Sequence, residues 1–132
     1  MLLILFTLLG SSAMAQSRPA LDSLDKRYQQ CLAQKGNLYG CAVAYYKSMD
    51  SLLHKSYRVL YTKLDSSRQR GLEQEQQGWE EKRSAYFELL DARVDKMGKK
   101  TPDGLDDRLI STDNKAAYLR NRVLQLARLD TN

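Results

Sequence analysis

The chain is poor in the residues on which most catalytic and metal chemistry is built. Its 132 residues include two cysteines, one histidine, one tryptophan, two phenylalanines and two prolines. The thiols of Cys31 and Cys41 and the imidazole of His54 do not complete a tetrahedral zinc site without carboxylate help, and the cysteines are not spaced as Cys-x-x-Cys. No metal or cofactor is therefore expected. No serine, cysteine or carboxylate is spaced to make His54 a general base, and no glycine-rich loop precedes a helix to cradle phosphate. The acidic pairs Glu80-Glu81 and Asp106-Asp107 read as solvated helix faces. The expectation is a protein with no catalytic residues, which is not an enzyme. Stretches of alternating apolar and polar residues are also missing, which argues against β-strands.

One strongly apolar run is present, Leu2 to Leu9, and it is far short of the roughly 20 residues that a membrane-spanning helix needs. Followed by Gly10-Ser11-Ser12 and the small-x-small triplet Ala13-Met14-Ala15, it reads as a secretory signal over residues 1–15, although the usual basic n-region is missing. Residues 16–132 then form a single domain of common size, periplasmic or secreted, with no membrane insertion after cleavage. In such an oxidising compartment Cys31 and Cys41 are expected to form a disulfide across a short loop. There are 21 basic and 16 acidic side chains, giving a formal charge of +5. Both signs are interspersed, so most belong to a solvated surface, and the moderate excess suits contact with anionic envelope polymers or lipid headgroups. No nucleic-acid partner is expected.

The apolar spacing is helical throughout. Leu21, Leu24, Tyr28 and Cys31 or Leu32, after Pro19, mark a short first helix, and Gly36-Asn37 and Gly40 supply a turn inside the cysteine loop. From Cys41, the positions Tyr46, Met49, Leu53, Tyr57, Leu60 and Leu64 predict a long second helix. Asp65-Ser66-Ser67 through Gly71 reads as a link, with the serines as caps. Leu72, Gln76, Trp79, Arg83, Tyr86, Leu90, Val94 and Met97 then form one continuous stripe on a third helix, with Gln76 and Arg83 as its polar members. Residues 98–104 read as a breaker-rich loop, and a last helix runs from about Asp113 to Leu129, with Ala116, Leu119, Val123, Leu126 and Leu129 inward. The fold class is all-α: an antiparallel helical hairpin or bundle of about four helices, two of them long, in which the second and third fold back on each other.

Cys41, Asp50, Leu53, Tyr57 and Leu64, followed by Gln76, Trp79 and Arg83, form an ordered set that resembles the lysozyme inhibitor LprI family. That family's pattern has a cysteine, an Asp-x-x-Leu-Asn step, a tyrosine, and a Gln-x-x-Trp-x-x-x-Arg-Asp segment ending at a cysteine. Tyr118 to Leu126, with Arg122, looks like its closing helix. Three positions depart: His54 stands at the asparagine, Ser84 at the aspartate after the arginine, and Phe87 at the usual cysteine, so that one family bridge is absent. The resemblance implies an exported helical domain and, as activity, inhibition of lysozyme.

The residues singled out are Asp50, Leu53, His54, Tyr57, Gln76, Trp79, Arg83 and Arg122, in structural or binding roles. Asp50 and Arg83 lie on inward arcs, which predicts a charge-assisted pair across the hairpin, with Gln76 and the Tyr57 hydroxyl meeting the spare donors and acceptors. Trp79 reads as core, and as a partner anchor if the fold leaves it exposed. Tyr39, Tyr45, Tyr46, Tyr57, Tyr61, Tyr86 and Tyr118 suit either half-buried bundle positions or an interface. Two functions follow from different classes: an envelope binding protein that inhibits lysozyme, or a structural adaptor that binds another envelope protein or an anionic polymer. Lysozymes are commonly basic, so a basic inhibitor needs local acids, for which Asp103, Asp106 and Asp107 are candidates.

Overall fold

A computed structural model describes residues 14–97 and 107–131 of the chain. Four helices account for nearly all of them, and no strand occurs among the described residues: α1 (Met14–Ala33), α2 (Leu38–Lys63), α3 (Ser66–Met97) and α4 (Asp107–Leu129). The signal segment up to residue 13 and the loop 98–106, with Asp103 and Asp106, lie outside the described residues. Asp107 is the first residue of α4.

Local chemistry sets the helix ends. Between α1 and α2, Lys35 adopts the left-handed conformation (φ 53°) that glycine was expected to supply. Gly40 serves a different purpose. Asn37 caps α2 by accepting the Gly40 N–H at 2.8 Å, and a Cβ at residue 40 would sit only 2.5 Å from the Asn37 side-chain nitrogen. The link between α2 and α3 is shorter than the Asp65–Gly71 segment expected. Leu64 is extended, the Asp65 carboxylate accepts the Arg68 N–H at 2.9 Å, and Ser66 to Gly71 are already helical. The cap is Asp65, not a serine. Gln69 also donates to the Tyr61 carbonyl at 3.0 Å, as a second donor beside the Leu64 N–H at 3.2 Å, and so ties the start of α3 to the end of α2.

The register follows from contacts along the helices. Leu109 packs near Cys41 at one end, and the Lys63 ammonium meets the Asp130 carboxylate at 2.9 Å at the other, so α2 and α4 run parallel. α1 runs antiparallel to α4, with Asp25 against Arg120 and Tyr28 against Asp113. α3 does likewise, with Gln76 against Arg122 and Asp91 against Lys115. The chain is thus an up-and-down bundle, but a flattened one. α2 packs most extensively against α4, its would-be diagonal neighbour, and α3 lies against α4 more than against α2. The expected α2–α3 pairing is therefore not the principal seam. Buried small residues on both central helices, Ala42, Ser56, Ala116 and Ala127, allow the close approach.

Around this pair the core closes with Leu21, Met49, Leu53, Leu60, Leu72, Leu119, Val123 and Leu126. Burying each such aliphatic chain is worth about 1.5–3 kcal/mol. Leu129, expected inward, is 46% exposed: it sits in the last turn of α4, at the rim of an open groove that it lines with Leu60, Leu64 and Leu72. A second cluster of Tyr28, Cys41 and Ala42 closes the end of the bundle near the α1–α2 turn. Tyr28 and Tyr45 stack at 4.3 Å between ring centroids, and their hydroxyls donate to Asp113 and Asp25. Arg120 holds both Asp25 oxygens at 2.7–3.1 Å. Burial alone would raise the Asp25 carboxyl, but the bonds from Arg120 and Tyr45 hold it below its usual range.

The Cys31–Cys41 disulfide joins α1 to α2, with Cα atoms 5.8 Å apart. Closing a loop this short is worth on the order of 2–3 kcal/mol. The double variant C31S/C41S is expected to lose about that much in urea unfolding while keeping its helical circular dichroism. A loss below about 0.5 kcal/mol would show that the clasp is incidental.

Candidate functional site

Arg122 points from α4 toward α3 and is 1% exposed, the largest of the fully buried side chains. A guanidinium in that position is tolerable only if its donors are met. All five N–H groups find acceptors. Nε and Nη2 donate to the Gln76 side-chain oxygen at 3.0 and 2.6 Å. Nη1 and Nη2 grip the two Glu75 oxygens at 2.6 Å each, and Nη1 also reaches Gln125 at 3.2 Å. The guanidinium carbon lies 5.4 Å from the centroid of the Trp79 ring. The hydrogen bonds from Arg122 lower the Glu75 pKa, against the opposing effect of partial burial.

This is the buried charge of the bundle, and it corrects the expected Asp50–Arg83 pair. Asp50 stays on α2 with His54, whose Nδ1 donates to the Asp50 carbonyl at 2.8 Å and lies 3.7 Å from its carboxylate. Arg83 lies over the same Trp79 ring as Arg122, with its guanidinium carbon 5.3 Å from the centroid, and forms no ion pair with Asp50. α2 packs mainly on α4 and little on α3, and each side chain is engaged elsewhere, Arg83 by Trp79 and Asp50 by His54. Gln76 does serve as the acceptor for a guanidinium, but for Arg122.

On either side of Gln76 the surface is concave. Between α3 and α4 a cleft of about 570 Å³ is lined by Trp79, Lys82, Tyr118, Asn121 and Gln125. Between α2 and α3 a narrower cleft of about 290 Å³ is lined by Leu53, His54, Tyr57, Glu73, Gln76, Gln77, Glu80 and Arg83. The second cleft collects five of the residues singled out from the sequence: Leu53, His54, Tyr57, Gln76 and Arg83. Glu73 accepts the Tyr61 hydroxyl at 2.8 Å. Tyr57 has no hydrogen-bond partner among the described residues. Burial, then the charges of Glu73 and Glu80, push its ionisation up, so it presents a neutral hydroxyl to the cleft at neutral pH.

Trp79 is half-buried, packed against the core and Tyr118 and flanked by two guanidiniums, so it is neither sealed core nor free anchor. Phe87, at the cysteine of the family pattern, joins Tyr46, Tyr86 and Tyr118, with ring centroids 6.1–6.3 Å apart, and underlies the Lys115 ammonium. Aromatic packing holds α2, α3 and α4 together where that pattern has a covalent link. Glu75, Gln125, Asp25, Asp113 and Arg120 were not expected as bonding residues. Arg122 had a usable signal, since it continues the spacing of Leu119 and Leu126 by three and four residues.

The family model for Lysozyme inhibitor LprI matches residues 29–126. The chain belongs to the LprI lysozyme inhibitor family. The match spans most of the described bundle, from the end of α1 through α4, and takes in both clefts and the Arg122 network. No curated protein and no solved structure is detectably similar to it.

Two measurements separate the roles of the arginines and acids. Arg122→Ala removes five hydrogen bonds and strands Gln76 and Glu75, so a loss of about 3 kcal/mol or more in urea unfolding is expected. Arg83→Ala, on a partly exposed stacked guanidinium, should cost under about 1 kcal/mol. Equal losses would contradict the assignment. Because the Glu75 pKa is depressed in the fold, its contribution is present above the ordinary glutamate range and is lost as pH falls through the folded value. Glu75→Gln should therefore be less stable than the parent at neutral pH and converge with it from about pH 5 downward. The side chain is 50% exposed, so solvent screens the effect, and a parallel pair of stability–pH curves would count against it.

Proposed function

We propose that the chain is an exported envelope protein that works by binding rather than by catalysis, and that its target is lysozyme. The observation that carries this reading is the family match over residues 29–126. Three features support it. The Cys31–Cys41 bridge fits an oxidising compartment. No helix among the described residues is long and apolar enough to cross a membrane. Residues 1–15 carry the apolar run and small-x-small end of a secretory signal, which leaves 16–132 as the working domain.

Inhibition by a binding domain requires a rigid surface that offers hydrogen-bonding and charged groups to the enzyme. The helical frame supplies rigidity through the Arg122 and Asp25–Arg120 networks, and the two clefts beside Gln76 supply polar concavities. Lysis of a bacterial cell-wall suspension by a basic lysozyme should slow with increasing purified protein and reach a plateau at molar excess. Unchanged lysis at excess would remove lysozyme as the target.

A further inference from the structure

We infer that the cleft between α2 and α3 is a docking pocket for a basic loop of a protein partner. Glu73 and Glu80 would take a lysine or arginine side chain, while the Gln76 amide and the Tyr57 hydroxyl donate to a backbone carbonyl beside it. The inference rests on the reading of the chain as a binding protein and names the surface that does the binding.

Gln76 is the observation that sets this cleft apart from an ordinary surface groove. It is 8% exposed, and its side-chain oxygen is committed to Arg122. Its amide nitrogen has no partner among the described residues. That nitrogen is not sealed in the core either, since the one fully enclosed side-chain polar atom without a partner there is Ser56 Oγ. The NH₂ group therefore opens onto the cleft that Gln76 lines. A nearly buried donor left without an acceptor is costly unless water or a ligand meets it. The Arg122 bonds fix the amide's orientation, so the donor is preorganised. Tyr57 adds a second unpartnered donor in the same cleft, with the Leu53 side chain as an apolar wall.

The charges around these donors select the ligand's sign. Glu80 forms no ion pair among the described residues, and Glu73 is bonded only to the Tyr61 hydroxyl. Of the cationic or basic groups lining the cleft, Arg83 is drawn over Trp79, and His54 has Nδ1 engaged by the Asp50 carbonyl. An anionic ligand would face two carboxylates at close range, whereas a cationic side chain is attracted by both. The volume of about 290 Å³ suits one long side chain with its adjoining peptide group, not a folded surface. An acidic pocket on a chain of net charge +5 also gives a basic partner one favoured point of entry.

The test is NMR titration of the ¹⁵N-labelled protein with the blocked tripeptide acetyl-Gly-Arg-Gly-amide and its Gly-Glu-Gly counterpart, followed by binding to a basic lysozyme. The arginine peptide should shift the Gln76 side-chain NH₂ resonances saturably, and the glutamate peptide should not. E73Q/E80Q should weaken arginine-peptide binding about tenfold or more, and Y57F a few-fold, with helical circular dichroism unchanged. If the double variant fails to fold, E80Q alone, at a side chain without a partner, should still weaken it about threefold. An unmoved Gln76 amide, an equal response to the glutamate peptide, or unchanged affinity in the charge variants would overturn the proposal. Arginine-peptide binding without lysozyme binding would uphold the cleft and retire lysozyme as its occupant. Lysozyme binding indifferent to E73Q/E80Q would retire the cleft and leave lysozyme as the target.

Discussion

The bundle is organised around a guanidinium that has left water. Burying a charge of that size is costly, and the cost is offset only because Glu75, Gln76 and Gln125 meet every N–H of Arg122 while Trp79 lies against its face. The network fixes more than a contact. It sets the axial register of α3 against α4, since a shift of either helix by one residue would turn the acceptors away from the donors. It also fixes which way the Gln76 amide faces, and so determines what the neighbouring cleft can bind.

The flattened arrangement gives α3 its functional character. With α2 and α4 in direct contact, the hydrophobic core is largely complete without the distal half of α3, where Leu90 and Val94 are only partly covered and Leu89 is exposed. α3 is held instead by side-chain networks: the Arg122 cluster, the aromatic group around Tyr118, and the Lys115–Asp91 bridge. A helix attached in this way leaves grooves on both flanks, whereas a helix packed squarely into a four-helix core would close them. The same geometry explains why polar residues occur on the α3 stripe: they line clefts and anchor the helix, and apolar residues there would face water.

Much of this was legible in the sequence. The three-to-four-residue spacing located all four helices and picked out Met49, Leu53, Leu60, Leu72, Leu119, Val123 and Leu126 as core, because periodicity reports which face of a helix is buried. The disulfide followed from two cysteines and a short loop, and the family from an ordered set of motif residues. What periodicity does not report is which helix lies opposite. Arg83 and Asp50 sat on suitable faces, yet α2 packs mainly on α4 and touches α3 little, so Arg83 turns to Trp79 and Arg122 takes the buried place assigned to Arg83. Helix ends were misjudged where a residue other than the expected one did the work: Asp65 rather than a serine caps α3 through its carboxylate, and Lys35 rather than a glycine takes the left-handed backbone.

Solvent exchange of the Arg122 Nε proton tests this account most directly, because it interrogates the buried guanidinium itself. A donor bonded to Gln76 in a sealed site should give a slowly exchanging, well-dispersed NMR resonance at neutral pH, protected far more strongly than that of an exposed arginine such as Arg68. An Arg122 Nε proton that exchanges as fast as that of Arg68 would mean that the guanidinium is in water and that something else sets the register of the bundle.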